Sequence, residues 1–270
     1  MKNVSSFSAE NWEPGKRPRV AAIVITKNEE AVIGRCLESV QWADEIILVD
    51  SGSTDRTVEI ARELRARAVI TPDWHGFGPQ RNRAIDHASA DWIFALDADE
   101  WVTPELQREI LATISMPGEL VGYRIPRLSS YCGRRMRHAG WWPDYVSRLF
   151  KRGRARFSGD IVHEHLVPDG RLGKLRNPLL HEAITDLDDM LNKLNSYSTW
   201  GAQTMHERGR RAGLGTALGH GAWTFFKTYV LRAGFLDGRE GFMLAVSNAE
   251  GAYYKYLKLM LLARREKSRS

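Results

Sequence analysis

Cysteine is scarce. The chain has two in 270 residues, Cys36 and Cys132, far apart and without metal-ligand spacing. That excludes a disulfide scaffold and a cysteine-built zinc site. It predicts two free thiols in a reducing compartment, buried as small hydrophobes. Long apolar runs are missing as well: none approaches the ~18 residues that a membrane span requires. The opening residues, with Ser, Glu, Asn and a Pro-Gly pair, have no apolar core of the signal-peptide kind. No internal repeat occurs, and no zinc-finger, RNA-recognition or KH pattern, which sets nucleic acid aside as a partner. Acidic residues are in short supply: 39 Lys and Arg stand against 33 Asp and Glu, a net charge of +6 with pI near 9.4. Much of the excess lies between Arg124 and Arg176, where 13 basic residues face 4 acidic ones. Such a bias suits an anionic partner, either a phosphorylated substrate or an acidic membrane surface.

What remains is 43% hydrophobic with a mean hydropathy of −0.38, enough to bury a sizeable core. Residues 1–17 read as a polar lead. Arg19 to Thr26 is a β-branched first strand, followed by Lys27-Asn28-Glu29-Glu30 and a helix carrying Ile33, Cys36, Leu37 and Val40 at helical spacing. Glu45 to Val49 is a second strand, with the polar turn Asp50-Ser51-Gly52-Ser53-Thr54-Asp55 after it. A helix from Thr57 to about Arg67, a short strand from Ala68 to Thr71, a loop from Gly76 to Pro79 and a helix from Gln80 to Ala90 follow. They lead into Trp92-Ile93-Phe94-Ala95-Leu96, an apolar strand that ends in Asp97-Ala98-Asp99-Glu100. Alternation of this kind predicts an α/β fold with a mostly parallel, Rossmann-like sheet. Thr103-Pro104 opens another helix, and residues 121–128 and 145–150 are further strands. From Asp186 onward the pattern is helical. Leu187, Met190, Leu191, Leu194 and Tyr197 form one stripe, and apolar blocks run from Ala222 to Leu236 and from Met243 to Leu262. The expected organisation is a nucleotide-binding-type half over 18–100, a further α/β segment over 101–185, and a helical C-terminal extension over 186–270.

Three strand ends carry polar residues on one predicted rim, where open α/β sheets collect their ligands. Two Asp at i, i+2 can offer oxygen to a hard divalent cation. The set Ile25-Thr26-Lys27-Asn28-Glu29, Val49 to Asp55, Gln80-Arg81-Asn82 and Leu96 to Glu100 resembles family 2 glycosyltransferases of GT-A fold. Further likeness runs through Val162-His163-Glu164 and Gly234-Phe235-Leu236-Asp237-Gly238, which look like the branch acting on the lipopolysaccharide core.

The resemblance implies an inverting, metal-dependent transfer of a hexose, glucose from UDP-glucose, to a lipid-linked saccharide, with residues 101–185 as the acceptor half. It implies that Thr26, Glu29 and Asp50 lie against the nucleoside, that Arg81 approaches the base or diphosphate, and that Asp97 contacts ribose and metal-bound groups. Asp99 would be the direct ligand of Mg²⁺ or Mn²⁺, and His181 a further metal contact. Arg148 would meet the diphosphate or a phosphorylated acceptor, or else stand as a surface charge on a strand. Asp55 can cap its own helix, and Glu100 can favour the start of the helix after it. An inverting transfer needs a base for the acceptor hydroxyl. Asp144, Asp160 and Glu164 are the carboxylates available, and Glu164 is the expected one, with His163 orienting it and His165 closing a turn. Trp141 and Trp142 can supply an acceptor platform, one of them doubling as core.

Within the C-terminal blocks, Lys227, Arg232, Lys255 and Lys258 interleave with aromatic and aliphatic residues. That composition suits an anionic membrane interface, the chain's own core, or a second subunit. The expected location is the cytoplasm, peripheral on the inner face of the cytoplasmic membrane. Transfer to a polyprenyl phosphate or another cell-surface glycan, and a non-catalytic sugar-nucleotide-binding protein, are the competing readings.

Overall fold

The computed structural model describes residues 17–116, 118–159 and 164–267. The chain divides into two compact units, one made of residues up to Arg127 with Asp144–His181, the other of Leu128–Pro143 with Glu182 onward.

The first unit is built on β1 (Val20–Thr26), whose seven residues are all buried. Alternate side chains serve opposite faces of the sheet, and here both sets are apolar, so both faces must be covered. Val20, Ala22 and Val24 join one core layer; Ala21, Ile23 and Ile25 join the other. Helices α1 (Ile33–Glu38) and α2 (Thr57–Glu63) cover the first face, and the strand β2 (Glu45–Asp50) between them pairs with β1 in parallel. β3 (Arg67–Ile70) extends the parallel set beyond β2. α3 (Phe77–Asp86) covers the opposite face and leads into β4 (Trp92–Asp97), parallel to β1 on its other side.

Two elements here differ from the sequence reading. α2 stops earlier than Arg67 because Arg65 takes a left-handed φ of 61° and turns the chain into β3. α3 begins at Phe77 and not at Gln80, with Pro79 inside its first turn. A proline is tolerated there because a first-turn N–H has no partner within the helix.

After β4 come a two-residue turn, the short strand β5 (Glu100–Val102) and α4 (Pro104–Ile114). Thr103 caps α4 by accepting from the Leu106 N–H, and Leu106, Ile110 and Ile114 point inward. The two-residue β7 (Arg134–Arg135) and β8 (Asp144–Lys151) each pair antiparallel with β6 (Gly122–Tyr131), β8 lying between β4 and β6. β9 (Ala155–Phe157) and β10 (Leu166–Pro168) form a separate two-stranded ribbon. β11 (Leu172–Lys174) pairs with β6, and β12 (Leu179–Ile184) runs antiparallel to β5. The sheet order is β3-β2-β1-β4-β8-β6-β12-β5.

The second unit is helical. α5 (Leu187–Glu207), capped by Asp186, and α6 (Leu214–Phe226) pack on α7 (Gly238–Lys267). A π-helical turn (Lys227–Leu231) and a 3-10 turn (Gly234–Asp237) lie between α6 and α7. Leu194 of the α5 stripe is buried, whereas Leu187, Leu191 and Tyr197 are exposed, so that stripe is only partly core. Lys258 of α7 donates to Asn195 O and Oδ1, Ser198 Oγ and Thr199 Oγ1 of α5 within 3.0 Å. No helix among the described residues is long and apolar enough to cross a membrane. Both cysteines are free.

Candidate active site

Strand register aligns the three polar ends. Thr26 stands opposite Asp50 and Ile25 opposite Asp97, so the carboxyl ends of β1, β2 and β4 form one rim. The loops after β1 and β2 are laced together. Asn28, at a left-handed φ of 56°, accepts from the Thr54 N–H at 2.8 Å and donates its own N–H to Ser53 Oγ at 2.8 Å. Glu29 N–H donates to Thr57 Oγ1, Glu30 accepts from the Arg56 N–H, and Asp55 accepts from Thr57 at the start of α2. Asp50 is buried and committed to its own turn. One oxygen accepts from the N–H groups of Gly52 and Ser53, the other from Ser53 Oγ. Thr26 Oγ1 is buried on the rim and has no hydrogen-bond partner among the described residues.

Arg81 is held from both sides by its neighbours in the Gln80-Arg81-Asn82 stretch. Gln80 donates to Ser51 Oγ at 2.9 Å and Thr71 Oγ1 at 2.6 Å, which fixes α3 to the loops after β2 and β3. Asn82 exchanges two bonds with the backbone of Phe157, at 2.8 and 3.0 Å, which fixes α3 to β9. The guanidinium between them is buried. Its Nη2 donates to Asp97 Oδ1 and its Nη1 to Glu164 Oε1, the latter at 2.5 Å.

From Asp97 the chain of charges continues inward. Arg148 of β8, 5% exposed, donates Nη2 to Asp97 Oδ2 and to Glu100 Oε1, the second at 2.7 Å. Glu100 is fully buried in β5. Its Oε1 also accepts from Arg127 at 3.3 Å, and its Oε2 accepts the Asp97 N–H at 3.0 Å. Arg127 closes the series on Asp144 at 2.7 Å. Seven side chains therefore alternate in sign: Glu164, Arg81, Asp97, Arg148, Glu100, Arg127, Asp144. Burial pushes the Asp97 carboxyl up, but the charges of Arg148 and Arg81 and their hydrogen bonds outweigh it and hold it well below the usual carboxylate range. Burial pulls the Arg148 guanidinium down, and Asp97 and Glu100 more than reverse that. Asp97 is thus a permanent anion, fixed in two directions.

This corrects the sequence reading of Glu100. It does not serve the start of α4, since β5 intervenes and its carboxylate faces Arg148 and Arg127. Arg148 is likewise no surface charge. Part of the basic stretch is consumed within the first unit. Besides Arg127 and Arg148, Arg154 pairs with Asp169 and Arg156 with Asp86, while Arg152 donates to Ala90 O.

Asp99 takes a different direction from Asp97. The β12–β5 register sets His181 opposite Glu100, and His181 Nε2 lies 3.3 Å from Asp99 Oδ2. Among the described residues no cluster of three or more His, Cys, Asp or Glu side chains forms a complete metal cage. One carboxylate oxygen and one imidazole nitrogen converging at a partly exposed point suit a divalent ion that takes its remaining ligands from a diphosphate and water. The two residues fit that use; Asp97, with both oxygens held by guanidinium groups, does not add a third.

Glu164 is placed by the β9–β10 ribbon. Ser158 N–H donates to His165 O at 2.9 Å and His165 N–H donates to Ser158 Oγ at 3.2 Å, so His165, next to Glu164, is tied to the residue that follows β9. Asp160 and His163 lie outside the described residues. Gly78, which sequence reasoning passed over, lets Ser158 and Glu164 approach α3. A Cβ built there would stand 1.9 Å from Ser158 O and 3.5 Å from Glu164 Cβ. In the second unit, Trp141 packs edge-to-face on Tyr131, and Arg137 lies over the Trp142 ring at 5.8 Å.

Residues 21–171 match the family model described as glycosyl transferase family 2. The lipopolysaccharide core biosynthesis glycosyltransferase LpsC of Rhizobium meliloti is 32% identical over 250 residues, 88% of this chain and 89% of that protein. The chain belongs to glycosyl transferase family 2. An uncharacterised glycosyltransferase of Rickettsia prowazekii is 30% identical over 89% of this chain and 86% of its own. Among solved structures, glucosyl-3-phosphoglycerate synthase from Mycobacterium tuberculosis, in complex with Mn²⁺, UDP and glucosyl-3-phosphoglycerate, aligns at a TM-score of 0.36. It is 25% identical, over 43% of this chain and 45% of that one.

Proposed function

We propose that this family 2 glycosyltransferase moves a hexose, glucose from UDP-glucose, to a saccharide of the lipopolysaccharide inner core, with inversion. The observation that carries the reading is the bridge from Glu164 through Arg81 to Asp97, with Asp99 and His181 beside it. It sets a carboxylate free to take a proton next to the rim that receives a nucleotide. The core saccharide as acceptor class is supported by the relative LpsC, at 32% identity over most of both chains.

In this mechanism the loops after β1 and β2 take the nucleoside, with Thr26 Oγ1 offering a free hydroxyl and Glu29 beside it. Asp50 acts on the same pocket by shaping the turn around Gly52. Asp97, held ionised, accepts from ribose hydroxyls through lone pairs its arginines leave open. Asp99 and His181 would hold Mg²⁺ or Mn²⁺, which when bound offsets charge on the leaving diphosphate. Arg81 and Arg148 keep Asp97 in place and add positive potential behind it. Arg81 also orients Glu164 through Oε1, leaving Oε2 without a hydrogen bond among the described residues. The acceptor oxygen attacks the anomeric carbon from the face opposite the diphosphate, and its proton passes to Glu164 Oε2. The new C–O bond forms as the old one breaks, and the bonding pair leaves with the nucleoside diphosphate.

Two substitutions test this. Glu164→Gln should keep UDP-glucose binding and lose transfer of radiolabelled glucose to isolated core lipopolysaccharide. Asp99→Ala should lose the Mn²⁺-dependent part of the thermal stabilisation by UDP-glucose. At a hundredfold over the dissociation constant that stabilisation is about 2.7 kcal/mol, or roughly 5–10 °C. Absence of any shift with a panel of nucleotide sugars would overturn the donor assignment. Transfer to polyprenyl phosphate but not to core saccharide would overturn the acceptor assignment alone.

A further inference from the structure

The helical unit presents an apolar surface that its own packing does not use. α6 turns Ala217 and Gly221 inward; at Gly221 the helix comes close to Tyr253 and Ala249 of α7. Its outer face and the turns after it carry Leu218, Trp223, Phe226, Leu231, Phe235 and Leu236, each 44–59% exposed. Six large apolar side chains within nineteen successive residues far exceed the scattered singles of an ordinary surface. α7 does not share this character. Its Lys258 is spent on four acceptors of α5, and the Tyr256 ring stacks on His220 of α6 at 3.9 Å.

Charge tells what would cover the face. From Arg208 to Leu236 the chain has five Lys or Arg and no Asp or Glu. Arg211 is paired with Glu266, and the other four are exposed. A basic loop is fastened to the same segment. Ala139 N–H donates to Arg232 O at 2.8 Å. Buried Asp237 accepts from the N–H groups of Arg137 and His138 and from His138 Nδ1, the last at 3.0 Å. These bonds bring Arg134 and Arg137, both exposed, alongside. A second copy of the chain packed on this face would set like charges against each other with no acid in the segment to answer them. Anionic headgroups would neutralise them while the acyl boundary takes up the apolar side chains.

We propose that the segment Leu214–Leu236 is a membrane-docking surface that lies in the headgroup region of an anionic bilayer. α6 and the π turn rest along the interface, Trp223 and Phe226 enter it, and Lys227, Arg232 and the Arg134–Arg137 loop meet lipid phosphates. The docking is independent of nucleotide and of transfer, so it stands or falls apart from the proposed reaction.

The test is co-sedimentation of the full chain with vesicles of phosphatidylcholine, alone or mixed with phosphatidylglycerol. The wild type should bind the anionic vesicles more tightly and release with salt. W223D/F226D should lower that affinity at least tenfold. K227E/R232E should lower it by at least about fivefold per residue, on anionic vesicles only. Both variants alter exposed residues, and unchanged melting temperature and UDP-glucose binding would show that they fold. Equal binding to both vesicle types, or wild-type binding by W223D/F226D, would overturn the proposal. A dimer in sedimentation equilibrium that W223D/F226D dissolves, without vesicle binding by the wild type, would overturn it in favour of a subunit interface.

Discussion

Glu100→Gln is nearly isosteric, yet the surroundings of Glu100 make it a severe change. Both carboxylate oxygens act only as acceptors: Oε1 from Arg148 and Arg127, Oε2 from the Asp97 N–H. A glutamine must put an NH₂ at one of those two positions. In one rotamer it faces the Asp97 N–H; in the other it faces two guanidinium groups. Either way a donor meets a donor at a site with no exposed surface. Counting charges along the network argues the other way, because its four acids exceed its three arginines by one. The cost is therefore local. One charge-assisted bond is lost, worth about 1.5–3 kcal/mol, and an unsatisfied buried donor remains, at about 1–3 kcal/mol. A net loss of about 3 kcal/mol lowers the melting temperature by roughly 6–12 °C in a chain of this size. Thermal unfolding followed by circular dichroism reads this directly. Glu105→Gln is the control: its pair with Arg108 is 56–73% exposed, and the expected change is under about 0.5 kcal/mol. If Glu100→Gln melts within about 2 °C of the wild type, Glu100 is not the node described and the account of Arg148 fails with it.

Gly78→Ala should retain the fold but cut transfer about a hundredfold, the cost of moving a reacting group by ~1 Å, since Ser158 cannot yield without shifting Glu164. Steady-state transfer assays would check it, and wild-type rates would show that contact with Ser158 is not what positions Glu164. Asp97→Asn should destabilise at pH 7 by about 3–5 kcal/mol, by leaving Arg81 and Arg148 short of a counter-charge. Because the folded Asp97 carboxyl is depressed, its stabilisation is full above the ordinary value near 4 and drains as pH falls below it. The difference in stability between wild type and variant should therefore narrow from about pH 5 towards pH 2; a constant difference would refute the pairing. The Cys36 thiol is pushed well above its usual range by burial and then by Glu100, Asp99 and Asp97, and its Sγ donates to the Asp97 carbonyl oxygen at 3.5 Å. Maleimide at pH 8 should label Cys132 before Cys36, as read by peptide mass; the opposite order would mean the core opens at α1.

The framework of β1 to β4 was legible in the sequence for a simple reason. β1 and β4 are apolar at every position before their polar ends, which demands a sheet covered on both faces, and helices with 3.6-residue patterns stand ready between them. The rim follows from strand direction alone. The start of α3 was hidden by Pro79, whose effect depends on whether it falls in the first turn or later. β5 was hidden because three residues carry no periodicity. On the α5 stripe, spacing identified the apolar positions but not what would pack against them. Pairings in the site were the least legible part. Arg81 meets Glu164 across 83 positions and Asp97 meets Arg148 across 51. Residue types reveal that charges need partners, but only the closed sheet decides which.

The two aspartates of Asp97-Ala98-Asp99 show what that decision does to chemistry. On a continuing strand they would point to the same face and compete for one ligand. β4 ends at Asp97, the next two residues turn, and β5 begins at Glu100. Asp97 keeps the strand's direction and falls between Arg81 and Arg148, where it can only be an anion that orients other groups. Asp99 is swung out of register towards His181, the last residue of β12 that pairs with β5. The turn therefore separates a carboxylate fixed between two arginines from one that faces an imidazole, the two roles that the proposed transfer assigns to them. Inserting one residue after Ala98 should abolish Mn²⁺-dependent donor stabilisation while leaving the arginine pairs of Asp97 intact. Loss of both together would mean that the two acids act as one site.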